Sequence, residues 1–364
     1  MPKLVRFFVF GRKSDATPLA ALLLGAFIYC AFAASHHALE ASIPHPAQLP
    51  VQDADAALPL QLSSLSDQPL LPPPATTLDP IRPQNQTQAA PTNDPPPAML
   101  LTVQRTAELA SVFDSRDYSL DDIRSGEKAV PPLTLTRLPQ DLGQMPEVEK
   151  RKELFIQALL PIVLQVNESI TADRIRLRWL REAMEQKASI ASEDRAWLDD
   201  LADRYQGNDA TVADLDELLK RVDVVPPSLA IAQAITESGW GTSYPARVGN
   251  ALFGVFHFAA RSGSNTAVGG NKPGTFQMRA YDNLSDAVSA YTLNLNTHPA
   301  YAAFRDQRAK LRHTGEGLDG YTLASTLLRY SELGMQYINV VRLIMRTENL
   351  KPLDEARLDR AEPL

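Results

Sequence analysis

The chain has 364 residues, room for a large core and one or two domains, and carries 43 Asp and Glu against 36 Lys and Arg, a formal charge of −7. That balance gives no support to a nucleic-acid partner. The single cysteine, Cys30, excludes an internal disulfide framework, and the six histidines lack metal-ligand spacing, so neither a metal nor an organic cofactor is implied.

Residues 1–18 carry Lys3, Arg6, Arg12 and Lys13 with no acid before Asp15, and Leu19 to Ala34 is a continuous apolar run. The run is short for a full span, which takes about 20 apolar residues. Two readings stand: a secretory signal cut near Ala31-Phe32-Ala33, or an uncleaved inner-membrane anchor through residues 19–34. In both, the basic flank keeps the N-terminus cytoplasmic and directs the rest into the cell envelope. Residues 1–41 are therefore assigned to targeting. Residues 42–97 are rich in Pro, Ala, Gln, Ser and Thr, with Pro72-Pro73-Pro74 and Pro95-Pro96-Pro97 as stiff points. Such a composition buries too little apolar surface to fold and reads as a disordered, extended linker.

Residues 98–140 form a partly ordered connector around Phe113, Tyr118, Leu120 and Ile123, followed by an extended stretch, Leu133 to Thr136. From Pro146 the pattern is helical. Val148, Lys152, Phe155, Leu159, Ile162, Val163 and Val166 recur at three and four, and Ile175, Leu177, Trp179, Leu180 and Met184 predict a second helix. Further helices are predicted over Ser192 to Tyr205 and Thr211 to Val222. Trp179 and Trp197, with aliphatic neighbours at helical spacing, read as core rather than sugar platforms. The arginines at 174, 176, 178 and 181 read as a solvated face.

The most informative stretch is Pro226 to Gly241. Two prolines open it and two glycines close it, as suits the first turn and the left-handed cap of a helix. Between them the residues are small and apolar, with Glu237 as the only ionisable group, in the last turn. The negative end of the helix and the apolar surroundings both oppose ionisation, so the carboxyl is expected to hold its proton nearer neutrality. A protonated acid in a cleft is what cleavage of a glycosidic bond requires. Gln233, one turn earlier on the same face, is placed to orient that carboxyl. Beyond it, Leu252 to Phe258 and Thr275 to Arg279 read as short strands around a polar loop at 261–272. Helices follow at Leu284 to Asn296, Ala300 to Arg308, Leu323 to Arg329 and Gln336 to Glu348.

Ala232-Gln233-Ala234, Glu237-Ser238-Gly239-Trp240-Gly241 and Gly249-Asn250-Ala251-Leu252-Phe253-Gly254 resemble the signature of the glucosaminidase family of bacterial cell-wall hydrolases (glycoside hydrolase family 73). The likeness is to its Bax-type members, and continues through Phe276, Tyr281-Asp282-Asn283, Leu295-Asn296-Thr297-His298, Ala300-Tyr301, Tyr330-Ser331 and Tyr337. It implies an α+β, mainly α fold: a lysozyme-like helical lobe with a small β-lobe, preceded by a helical prefix. Residues 141–350 then hold the prefix and the glucosaminidase domain, with the catalytic part at about 210–350 and a tail at 351–364. The resemblance implies Glu237 as acid and Tyr301 as a tyrosine near the site. Gln233, Trp240, Asn250, Phe253 and Gly254 would meet the sugar, together with Phe276, Tyr281 and Tyr330.

Most glycosidases need two carboxylates. From Ser238 to Tyr281 this chain has no Asp or Glu, which leaves Asp282 and Glu332 as candidates for the second. Asp282 reads at least as well as an N-cap or turn residue. Substrate assistance by an N-acetyl group is the alternative. The resemblance implies peptidoglycan glycan strands as partner and cleavage after N-acetylglucosamine. A lytic transglycosylase and a non-catalytic glycan-binding protein are the competing readings.

Overall fold

The computed structural model describes residues 99–206, 212–258 and 276–359. The expected targeting segment, linker and 261–272 loop lie outside them. In chain order the elements are β1 (Met99–Leu101), α1 (Thr106–Ser115), α2 (Leu120–Ser125), β2 (Leu133–Leu135), α3 (Val148–Glu185), α4 (Ser192–Arg204), α5 (Val212–Arg221), α6 (Pro227–Ser238), α7 (Tyr244–Gly249), β3 (Phe256–Phe258), β4 (Phe276–Met278), α8 (Leu284–Thr297), α9 (Ala302–Thr314), α10 (Gly320–Ala324) and α11 (Met335–Thr347). The architecture is mainly helical. β1 and β2 pair in parallel with Met99 opposite Leu133, and β3 and β4 pair antiparallel with Phe256 opposite Met278.

The two helices predicted across Val148 to Met184 are one, 38 residues long. Every residue from Leu154 to Leu164 is buried, Pro161 included. Pro161 removes one backbone hydrogen bond, but a helix apolar all round is held by packing on every side. Among the described residues α3 alone is long and apolar enough to cross a membrane, yet 67% of its apolar window is buried inside the protein, as in a core helix.

The arginines of α3 do not form a solvated face. Arg174 donates to the carbonyls of Leu219 and Val222 at the end of α5. Arg176 meets the buried Asp194 of α4 at 2.6 Å and lies over the Trp197 ring at 4.3 Å. Arg181 reaches Asp216 at 2.5 Å. Only Arg178 of the four is exposed. The last carbonyls of a helix lack partners of their own and favour nearby cations, and α5 draws on a second arginine as well. Arg308 of α9, fully buried, donates to the carbonyls of Lys220 (2.9 Å), Asp223 (3.0 Å) and Val224 (2.9 Å) and to Asn296 Oδ1 (2.7 Å). Burial alone would raise the Asp223 carboxyl, but Arg308, Arg312 and Arg174 outweigh it and hold the group below its ordinary range.

α6 sits at the centre, with every residue from Pro227 to Ile235 buried. Its N-cap, Pro226, offers no side-chain acceptor. The acceptor comes from Asp354, whose carboxylate takes the Ser228 N–H (2.8 Å), the Ser228 hydroxyl (2.8 Å) and the Gly320 N–H (3.3 Å). The stretch from 351, expected as a tail, is therefore structural. Lys351–Glu355 forms a 3₁₀ turn with Leu353 fully buried, and Val130 bridges to Leu358. Helix ends also differ from expectation: α10 stops at Ala324, short of the predicted Arg329, while α9 runs on to Thr314. The short helix α7 had no periodic signal.

Arg308→Met removes the buried cation from Asp223 and from the four carbonyls of Lys220, Arg221, Asp223 and Val224. It should cost about 3–5 kcal/mol in urea denaturation, whereas Arg312→Ala, whose side chain is 42% exposed, should cost less than about 1 kcal/mol.

Candidate active site

α6 ends in a left-handed turn. Gly239, Trp240 and Gly241 have φ of 57°, 60° and 71° in succession, a region that costs an L-residue such as Trp240 energy. At Gly241 a Cβ would lie 2.4 Å from Leu138 Cδ1 and 3.0 Å from the Phe155 ring, so only glycine fits. Ser238 Oγ accepts the Gly241 N–H at 2.8 Å and donates to the Ala234 carbonyl at 2.6 Å, which locks the turn. This turn presents Glu237, half-buried, at the helix end.

Gly254 passes directly over the carboxyl: a Cβ there would sit 3.1 Å from Glu237 Oε2. On another side is Tyr337 of α11, hydrogen-bonded to the Glu237 carboxyl. Behind it runs a buried chain. The Tyr291 hydroxyl donates to Gln233 Oε1 at 2.7 Å, and Gln233 Nε2 donates to the Tyr337 hydroxyl oxygen at 2.9 Å. Tyr337's oxygen is thus occupied as an acceptor and its own proton is directed at Glu237. Burial pushes the Glu237 carboxyl up from its ordinary 4.5 to about 7, and the Tyr337 hydrogen bond opposes the rise.

An aromatic wall surrounds this pair. Tyr330 stacks on Tyr337 (5.4 Å, 15°) and leans on Tyr301 (5.8 Å, 36°), while Phe253 stacks on Tyr291 (4.0 Å, 12°). The Tyr330 hydroxyl donates to the Phe253 carbonyl at 3.1 Å, tying the β-side loop to the segment before α11. Burial raises Tyr301; its hydrogen bond to Asn294 opposes that, and the charge of Glu237 adds to it. The same charge raises Tyr291 and Tyr330 after burial, so all three rings lie within electrostatic reach of the acid.

The structure brings Glu237, Gly254, Phe253, Tyr301 and Tyr330 together. It gives other expected site residues different work. Gln233 is fully buried and bonded at both ends, so it acts on the acid through Tyr337 and not on a ligand. Trp240 faces α3, edge-on to Phe155 at 5.9 Å and under Lys152 Nζ at 5.5 Å. Asn250, buried with φ 51°, donates to the carbonyls of Tyr281 (3.0 Å) and Asp282 (3.3 Å) and fastens the loop before α8. Tyr281 lies half-buried against Arg279. Phe276 belongs to β4, opposite Phe258; its side chain lies outside the described residues.

Asp282 and Glu332 are both exposed, and neither is among the groups that shift Glu237. Asp282 is not an N-cap either: Asn283 caps α8, accepting the Asp286 N–H at 2.8 Å. Tyr291 and Tyr337 are the neighbours that sequence reasoning left out of the site. A signal existed, since a buried tyrosine hydroxyl needs a partner and Gln233 shares a face with Glu237.

A family model described as mannosyl-glycoprotein endo-beta-N-acetylglucosaminidase, the Glucosaminidase domain, matches residues 212–349. Protein bax of Escherichia coli (strain K12) is 37% identical over 203 residues, 55% of this chain and 70% of that protein. The chain belongs to the Bax-type glucosaminidase family. No solved structure matches it. The family-model match takes in α6, Gly254, the aromatic wall and Tyr337, while the longer likeness to bax exceeds the span of that domain.

Because the folded carboxyl of Glu237 binds its proton more tightly than an unfolded one, the wild type should lose stability as pH rises from about 4.5 to about 7, by at most about 3 kcal/mol. Glu237→Gln abolishes that loss. Its stability relative to wild type should therefore grow between pH 4 and pH 8, which chemical denaturation at pH 4, 6 and 8 measures; a difference flat in pH would mean the carboxyl is not shifted.

Proposed function

We propose that the protein is a peptidoglycan hydrolase that cleaves the β-1,4 bond after N-acetylglucosamine, with Glu237 as general acid in a lysozyme-like fold. The observation that carries this reading is the half-buried Glu237, its carboxyl raised to about 7, beneath Gly254 and beside Tyr337. The glucosaminidase domain match supports a glycan substrate. The expected leader and linker, residues 1–97, fit an enzyme tethered to the inner membrane or secreted, with reach toward the wall.

In the proposed reaction the Glu237 proton passes to the glycosidic oxygen as the C1–O bond breaks. With no acid between Ser238 and Tyr281, the acetamido oxygen of the sugar attacks C1 and forms a cyclic oxazolinium, the known exception to the two-carboxylate rule. Water then opens that ring and returns a proton to the Glu237 carboxylate, so the anomer is retained. Tyr337 stabilises the carboxylate between the two steps, and Tyr301 supports the acetamido group. The same lone acid serves a lytic transglycosylase, in which an intramolecular hydroxyl replaces water. Mass spectrometry of digested sacculi separates the two, because anhydro-muramyl ends arise only in the second.

Glu237→Gln should lower kcat by about 10² to 10⁴; activity within tenfold of wild type would remove Glu237 from the acid role. Tyr337→Phe deletes the donor that favours the ionised carboxylate, so the Glu237 pKa should rise and the alkaline limb of the kcat–pH profile should move to higher pH. An unmoved or acid-shifted limb would separate Tyr337 from the acid.

A further inference from the structure

A recess of about 440 Å³ opens where the ends of β1 and β2 meet α7. Thr102, Gln104, Thr136, Gln140, Arg137 and Arg247 line it, and no carboxylate does. Its walls are fixed. Gln140 Nε2 donates to the Arg247 carbonyl at 3.1 Å, the Thr136 carbonyl accepts the Leu284 N–H at 3.2 Å, and the two threonine hydroxyls lie 3.4 Å apart. Leu138, between the two lining residues Arg137 and Gln140, packs on Gly241, so the recess borders the turn that carries Glu237.

The recess gathers two cations with no acid between them. Arg174, Arg176, Arg181 and Arg308 each face an acid. Among the described residues Arg137 and Arg247 have no ion-pair partner, and the Arg247 Nε is buried without an acceptor. Both guanidinium charges in the recess are therefore uncompensated by any acid that lines it. The nearby acids are engaged elsewhere. Glu108 takes the N–H groups of Gln104 and Arg105, and Asp141 takes the N–H and hydroxyl of Thr106. Guanidinium forks match carboxylates, and the glutamine and threonine side chains match peptide amides. A recess of about 440 Å³ has room for a short branch.

We propose that this recess binds the carboxylate-bearing peptide branch of the glycan substrate, a step that rests on the peptidoglycan reading above. The test is calorimetric titration of the full-length chain with the free acidic tripeptide of peptidoglycan and with the same peptide capped as carboxamides. The acidic form should bind at least tenfold more tightly than the capped form. Arg137→Glu and Arg247→Gln should each weaken it tenfold or more. Arg137 is exposed, so Arg137→Glu should keep the wild-type Tm and stands as the variant free of folding effects. Failure of the wild type to bind, equal affinity in wild type and Arg137→Glu, or equal competition by inorganic phosphate would each overturn the assignment. Binding is read without turnover. Loss of tripeptide binding in Arg137→Glu alongside a wild type that cleaves no glycan would uphold the recess and reject the hydrolase reading.

Discussion

A helix buried on all sides cannot turn to water for its end groups, and α6 is such a helix. Its first N–H groups and its last carbonyls must find partners inside the protein. At the start the partner is the Asp354 carboxylate, brought from beyond α11. At the end it is a left-handed turn closed by Ser238 and wedged against Leu138 and Phe155. Both solutions fix the helix along its axis, and Glu237 inherits that fixity. The acid needs no dedicated scaffold; it stands on a helix that the core holds at both ends.

The same constraint governs the polar side chains in the core. Gln233 is fully buried, and its amide is satisfied by two tyrosines from α8 and α11. An amide has a donor end and an acceptor end, so satisfying both also sets the direction of the hydroxyl protons on either side. The result is a polarised line ending at the Glu237 carboxyl. α5 shows the cationic version of the rule: its terminal carbonyls are met by Arg174 and Arg308, and Asp223 balances those charges.

What was legible in the sequence is local. Pro226-Pro227 and Gly239 mark both ends of α6, and the isolation of Glu237 among small apolar residues announces its raised pKa. What was not legible depends on partners far along the chain. Tyr291 and Tyr337 lie 58 and 104 residues from Gln233, and Asp354 lies 126 residues from Ser228. α3 read as two helices because its middle is polar. Asn167 there pairs both ways with the Val225 backbone, at 2.8 Å and 3.2 Å, so the polarity belongs to a tertiary contact and not to a break. Trp240 was misplaced for a related reason: a motif names a residue without saying which way the left-handed turn aims it.

The Asp354 bond has a consequence for the order of events in biogenesis. Synthesis runs from the N-terminus, so Ser228 is made long before its cap. Until Asp354 is available, the buried start of α6 has open donors and the acid above it has no settled seat. A nascent chain therefore carries Glu237 in an unfinished setting. The helix that carries Glu237 is thus completed only when a distant aspartate, 126 residues on from Ser228, has been made.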